Sequence, residues 1–150
     1  MKPILLTILL ATLSAPVCFG EWTRYGGPIV VNKGGHYNAG AVYSYIDFET
    51  IRERDGYVYW WGLRDNSNPI GRPGTMPIMS ATEYLQGDCG IFRTKTLTIL
   101  AYPEPMGRGN KFQRDKEPDE NWTYHRPGSI GEIELTAVCD YVTLSEEDKK

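Results

Sequence analysis

Tyr45-Ile-Asp-Phe-Glu-Thr-Ile-Arg-Glu-Arg-Asp-Gly-Tyr-Val-Tyr-Trp-Trp-Gly-Leu-Arg-Asp65 decides the fold. Two alternating, aromatic-rich runs meet at Asp55-Gly56, a pair that readily takes the positive φ angles of a type I′ turn. With those two residues as the turn, Arg54 faces Tyr57, Arg52 faces Tyr59, Thr50 faces Trp61 and Phe48 faces Leu63. One face then carries Ile46, Phe48, Tyr59, Trp61 and Leu63. The other carries Asp47, Glu49, Glu53 and Arg64, interrupted by Ile51, Val58 and Trp60. Strand side chains alternate, so the first set is expected to be the core face. Asp47 falls opposite Arg64, a cross-strand ion pair worth ~0.2–1 kcal/mol at an exposed site.

Working outward, Pro28-Ile-Val-Val31 reads as a short strand and Lys33 to Gly40 as a glycine-rich loop. The Pro and Gly density of Asn66 to Pro77 predicts an irregular loop. Ser80 to Leu85 and Cys89 to Tyr102 read as further strands, with a weaker one at Lys111 to Arg114 and a short run at Trp122 to His125. Ser129-Ile-Gly-Glu132 is a capping box that opens a C-terminal helix, with Ile130, Ile133, Ala137 and Tyr141 along one face. The fold class is therefore α+β, a meander-like antiparallel sheet with one C-terminal α-helix.

Lys2, the apolar run Ile4 to Leu13 and the small-residue end at Cys18-Phe-Gly20 describe a secretory signal peptide. Residues 1–20 are read as that leader and residues 21–150 as one domain. The apolar run is shorter than the ~20 residues a membrane-spanning helix needs. Val17 before Cys18 is a poor lipidation context, so cleavage after Gly20 is the expected route. Cys89 and Cys139 then remain in an oxidising compartment, periplasmic, secreted or at the cell surface, where a disulfide is the default. A redox pair would call for a Cys-x-x-Cys spacing, which they lack.

The formal charge of −3 and the absence of a basic cluster argue against nucleic acid as a partner. His36 and His125, the only histidines, stand apart from any ligand spacing, and the acidic run Asp115 to Glu120 lacks the pattern of a calcium loop. No metal or cofactor is expected. Asn121-Trp-Thr123 matches a glycosylation sequon. The chain holds 10 Tyr and 4 Trp. Tyr43, Tyr45 and Trp60 fall on the face that one helix cannot also cover, so they are the candidate binding residues. If they are buried instead, the Asn66–Pro77 loop is the next place to look.

An ordered set of markers resembles the surface-adhesin protein E family of Gram-negative bacteria. They are Tyr45-Ile-Asp47 with Ile51, Val58-x-Trp60-x-x-Leu63, Ser80, Asp88-Cys89, Met106-Gly-Arg-Gly109, Trp122, Pro127-Gly-Ser129 and Cys139. The resemblance implies an exported domain whose C-terminal helix is pinned to the sheet by a disulfide. It also implies a protein partner, such as a host extracellular-matrix or serum protein. An exported binding protein without catalytic activity is the expected function. The alternative is a periplasmic or secreted enzyme or enzyme inhibitor, which would need His36 or His125 gathered with two further polar groups.

Overall fold

The computed structural model describes residues 21–31, 40–71, 74–113, 119 and 121–147. The leader, Cys18, His36 and most of the acidic run lie outside them. Eight strands and one helix follow in order: β1 (Trp22–Arg24), β2 (Ile29–Val31), β3 (Gly40–Arg54), β4 (Tyr57–Ile70), β5 (Ile78–Asp88), β6 (Arg93–Tyr102), β7 (Phe112–Gln113), β8 (Thr123–Tyr124) and α1 (Ile130–Glu147). All pairings are antiparallel, and the centre is a β3-β4-β5-β6 meander. Short strands cover parts of its edges: β1 and β2 on β3, β7 and β8 on β6.

The hairpin turn is as expected, with Asp55 at φ 53° and Gly56 at φ 78°. Arg54 pairs with Tyr57 and Arg52 with Tyr59, but there the expected register ends. The next pair is Asp47 with Trp61, so β3 runs through Phe48, Glu49, Thr50 and Ile51 where β4 has Trp60 alone. Side chains stabilise this wide bulge. Asp47 Oδ1 accepts from the Glu49 N–H at 3.1 Å, and the Thr50 hydroxyl donates to the Asp47 carbonyl at 2.7 Å. Thr50 Oγ1 also accepts the Trp61 N–H at 3.0 Å, standing in for a ladder carbonyl.

The bulge corrects three expectations. Arg64 lies opposite Ser44, not Asp47, so the expected ion pair does not form. An odd offset inverts the alternation of β3, which places Ile46 on the same face as Trp60 and Val58. The helix-covered core is accordingly Ile46, Ile51, Val58, Trp60, Leu85, Leu135 and Val138, not the Tyr59-Trp61-Leu63 set. Leu63 is buried on the opposite side, beneath the turn at Pro105–Gly107.

Two further readings change. β4 continues to Ile70, pairing it with Ile78, so the expected loop is partly strand, although the ladder to β5 is irregular between Asp65 and Ile70. The helix is also rotated from the expected face. Glu134, Leu135 and Val138 are buried, while Ile133 and Tyr141 are 42 % and 40 % exposed. Its start is as read: the Glu132 N–H donates to Ser129 Oγ at 3.3 Å, and the Glu132 carboxylate reaches back to the Gly128 N–H.

Cys89, in the β5–β6 turn, is bonded to Cys139 on α1, 50 positions further along the chain, with sulfurs 2.02 Å apart. The helix also approaches closely enough that β5 requires glycine. A Cβ on Gly87 would sit 2.8 Å from both Leu135 Cδ1 and Trp60 Cζ3.

Candidate binding face

The sheet has two unlike faces. Under the helix lies a buried polar cluster. The Trp60 indole N–H donates to Glu134 Oε1 at 3.0 Å, and Arg64 Nη2 lies 2.6 Å from Glu134 Oε2 and 3.4 Å from Glu83 Oε2. Arg64 Nη1 also donates to the Tyr25 hydroxyl at 2.6 Å. Burial opposes the charge on Arg64, but the Glu134 carboxylate holds its proton on and raises its pKa. Burial, with Glu134 nearby, likewise pushes the Tyr25 hydroxyl far above its ordinary value. Every member of the cluster is directed at another member, which makes it a clamp between helix and sheet.

Trp60 belongs to this clamp. It is 0 % exposed, so its expected role as a partner contact is corrected: it shares a face with Val58 and Ile46, and that is the face the helix covers. Tyr43 and Tyr45 lie on the other face, opposite Asp65 and Leu63, and both are half-buried. The structure therefore separates the three candidate residues.

The second face is built from aromatic rings and cations. Tyr84 packs against Tyr59 and Trp61 with ring centroids 6.2 and 5.1 Å away. The Arg54 guanidinium stacks 4.8 Å from the centre of the Tyr59 ring, and Arg24 stacks 4.6 Å from that of Tyr43. Trp122 lies beside Tyr57 and receives Arg93 at 4.3 Å and Lys95 at 4.6 Å. One end is closed by the Pro105–Gly107 turn. There the Met106 N–H donates to Asp65 Oδ1 at 2.7 Å, and the Gly107 N–H donates to Ser80 Oγ at 2.9 Å. Ser80 in turn donates to the Glu104 carbonyl at 2.6 Å, so Ser80 and Met106-Gly107 form one fastening. Among the described residues no helix lies above the remainder, around Tyr59, Trp61 and Tyr84, where Tyr59 is buried and the other two are half-buried.

His125 stands elsewhere, beneath the start of α1, with Nε2 2.8 Å from Thr94 Oγ1. Its ring occupies the space a Cβ on Gly131 would need. Burial lowers its pKa, against the opposing pull of Glu134 and Glu132. Among the described residues no group of three His, Cys, Asp or Glu side chains is placed to hold a metal ion. No helix among them is long and apolar enough to cross a membrane.

Sequence reasoning missed Trp61, Tyr84 and Trp122 as partners in one surface. Tyr59, read as core, is indeed buried, though on this face; Trp61 was misplaced by the register, and nothing local to Trp122 indicates that it folds back over β6.

Residues 30–140 match the family model described as surface-adhesin protein E. Solved structures of Haemophilus influenzae protein E share the fold. One superposes with a TM-score of 0.56 at 16 % identity, covering 65 % of this chain and 80 % of that one. A second gives 0.55 at 15 % identity over 79 % and 95 %. Protein E from non-typeable Haemophilus influenzae gives 0.52 at 14 % identity over 77 % and 85 %. No curated protein matches the sequence.

Proposed function

The chain belongs to the surface-adhesin protein E family, and we propose that it is an exported, non-enzymatic binding protein that engages a host extracellular protein. The reading takes residues 1–20 as an export leader and residues 21–150 as the acting domain. Tyr43 and Tyr45, joined by Trp61 in place of Trp60, provide the contact. The observation that carries this proposal is the half-exposed aromatic face left open by a single helix. Tyr, Trp and Arg are the residue types that dominate binding energy at protein interfaces, and this face is made of them.

The test is binding of the purified exported domain to immobilised extracellular-matrix and serum proteins. Saturable binding to one of them, lost when Tyr43, Tyr45 and Trp61 are replaced by Ser in a chain that still folds, is the expected result. Binding that survives the triple replacement would move the site off this face. Turnover of a substrate that disappears in His125→Gln would overturn the non-enzymatic reading.

A further inference from the structure

We propose that the partner meets this face through an acidic, extended protein segment laid across the strands from Arg54 to Lys95. The inference rests on the binding function proposed above and supplies the chemistry of the partner. Its ground is a separation of charge. The protein is acidic overall, at −3, and α1 carries Glu and Asp residues with no Lys or Arg. The opposite face reverses that sign, with Arg24, Arg54, Arg93 and Lys95 all stacked on its rings.

The carboxylates within the face are already engaged. Asp47 and Asp65 accept backbone N–H groups, and Asp88 accepts from Gly90, Ile91 and Arg93. Asp55, Glu104 and Asp119 border the face on turns and an edge. Asp55 approaches Arg54 only at 3.9 Å, with both side chains exposed, a geometry that contributes little. Arg54 and Lys95 are therefore available cations on an aromatic floor.

Register gives the direction. Arg52, Tyr59, Gln86 and Lys95 form one row across β3, β4, β5 and β6. Three inter-strand steps of ~4.8 Å make that row roughly 14 Å long, the reach of about four extended residues. Arg54 leans into the row over Tyr59. Its guanidinium also hydrogen-bonds the Tyr59 side chain, and with five N–H donors it retains others for a carboxylate. The same stacking disfavours a sugar polymer. Cations occupy one side of Tyr43, Tyr59 and Trp122, and Tyr84 packs against Tyr59 and Trp61, which makes these rings poor pyranose platforms.

The experiment measures binding of the full exported chain to a poly-glutamate peptide and to heparin, at low and moderate salt. Arg54→Glu with Lys95→Glu is compared with Arg54→Ala with Lys95→Ala, and with Asp140→Lys on the helix as a control. Poly-glutamate binding that weakens with salt, falls at least about tenfold in both face variants and is unchanged in the control supports the proposal. Preference for heparin, or poly-glutamate binding indifferent to the face variants, overturns it. If a host protein binds and the charge variants do not matter, the inference fails while the binding function stands. If no host protein binds but poly-glutamate does so through Arg54 and Lys95, the inference stands and the adhesin reading fails.

Discussion

At the scale of single residues, the clamp beneath the helix sets the sharpest energetic contrasts. Glu134 is 3 % exposed and serves both the Trp60 indole and the Arg64 guanidinium. Removing it leaves a buried cation without its nearest counter-charge. Glu134→Ala is expected to cost ~3–5 kcal/mol, read as a lowered denaturant midpoint. Ser44 sits in the same layer, opposite Arg64; the Tyr25 hydroxyl is its polar neighbour, but among the described residues no partner meets its buried hydroxyl at full hydrogen-bond geometry. Ser44→Ala should therefore be neutral or slightly stabilising, because it deletes an unsatisfied group rather than a bond. A loss above about 1 kcal/mol in the same titration would show that the hydroxyl is in fact bonded.

At the scale of elements, the β3 bulge is the controlling irregularity. Thr50→Val keeps the shape but removes the acceptor for the Trp61 N–H, so about 1–3 kcal/mol of stability should be lost. Faster amide exchange at Trp61 would report the same event. The bulge also explains what the sequence could and could not convey. Asp55-Gly56, the Arg54–Tyr57 and Arg52–Tyr59 pairs, the Ser129–Glu132 cap and the Cys89–Cys139 bond were all readable, because each depends on local chemistry or simple pairing. Extra residues inside a strand leave no mark on alternation, so the register from Asp47 onward was not. That one offset moves Ile46 to the Trp60 face and Tyr43 and Tyr45 to the Trp61 face, which reverses the side of β4 that reads as the helix-covered core. A weak sign was present: Asp47 and Thr50 are residue types that bond to nearby backbone. The helix face misled for a related reason, since the stripe of Ile133 and Tyr141 looks more apolar than one containing Glu134. Only the position of Arg64 across the gap makes a buried glutamate the better fit.

At the scale of the whole molecule, the disulfide ties the middle of α1 to the sheet, and His125 packs beneath its start. Replacing Cys89 and Cys139 by Ser opens a 50-residue loop, for which chain entropy predicts a loss of ~4 kcal/mol. His125 adds a pH dependence of definite sign. Burial depresses its pKa in the folded chain, so the unfolded chain takes up the proton first. The stability it contributes is full above the ordinary histidine value of about 6.5 and declines as pH falls through the folded value. The wild-type stability curve should lose ground below that pH relative to His125→Gln. Parallel curves for the two proteins would show that the folded and unfolded histidines titrate alike.

The division of the tryptophans between the two faces makes the protein its own optical instrument. Trp60 lies in a dry layer against Glu134 and α1, whereas Trp22, Trp61 and Trp122 belong to the opposite side. Indole emission shifts to the blue in a dry setting and to the red in water. Displacing the helix should therefore redden one fluorophore, while occupation of the open face should perturb the other three. Comparing the spectra of wild type and Trp60→Phe separates the two, and no external label is needed to tell undocking from binding.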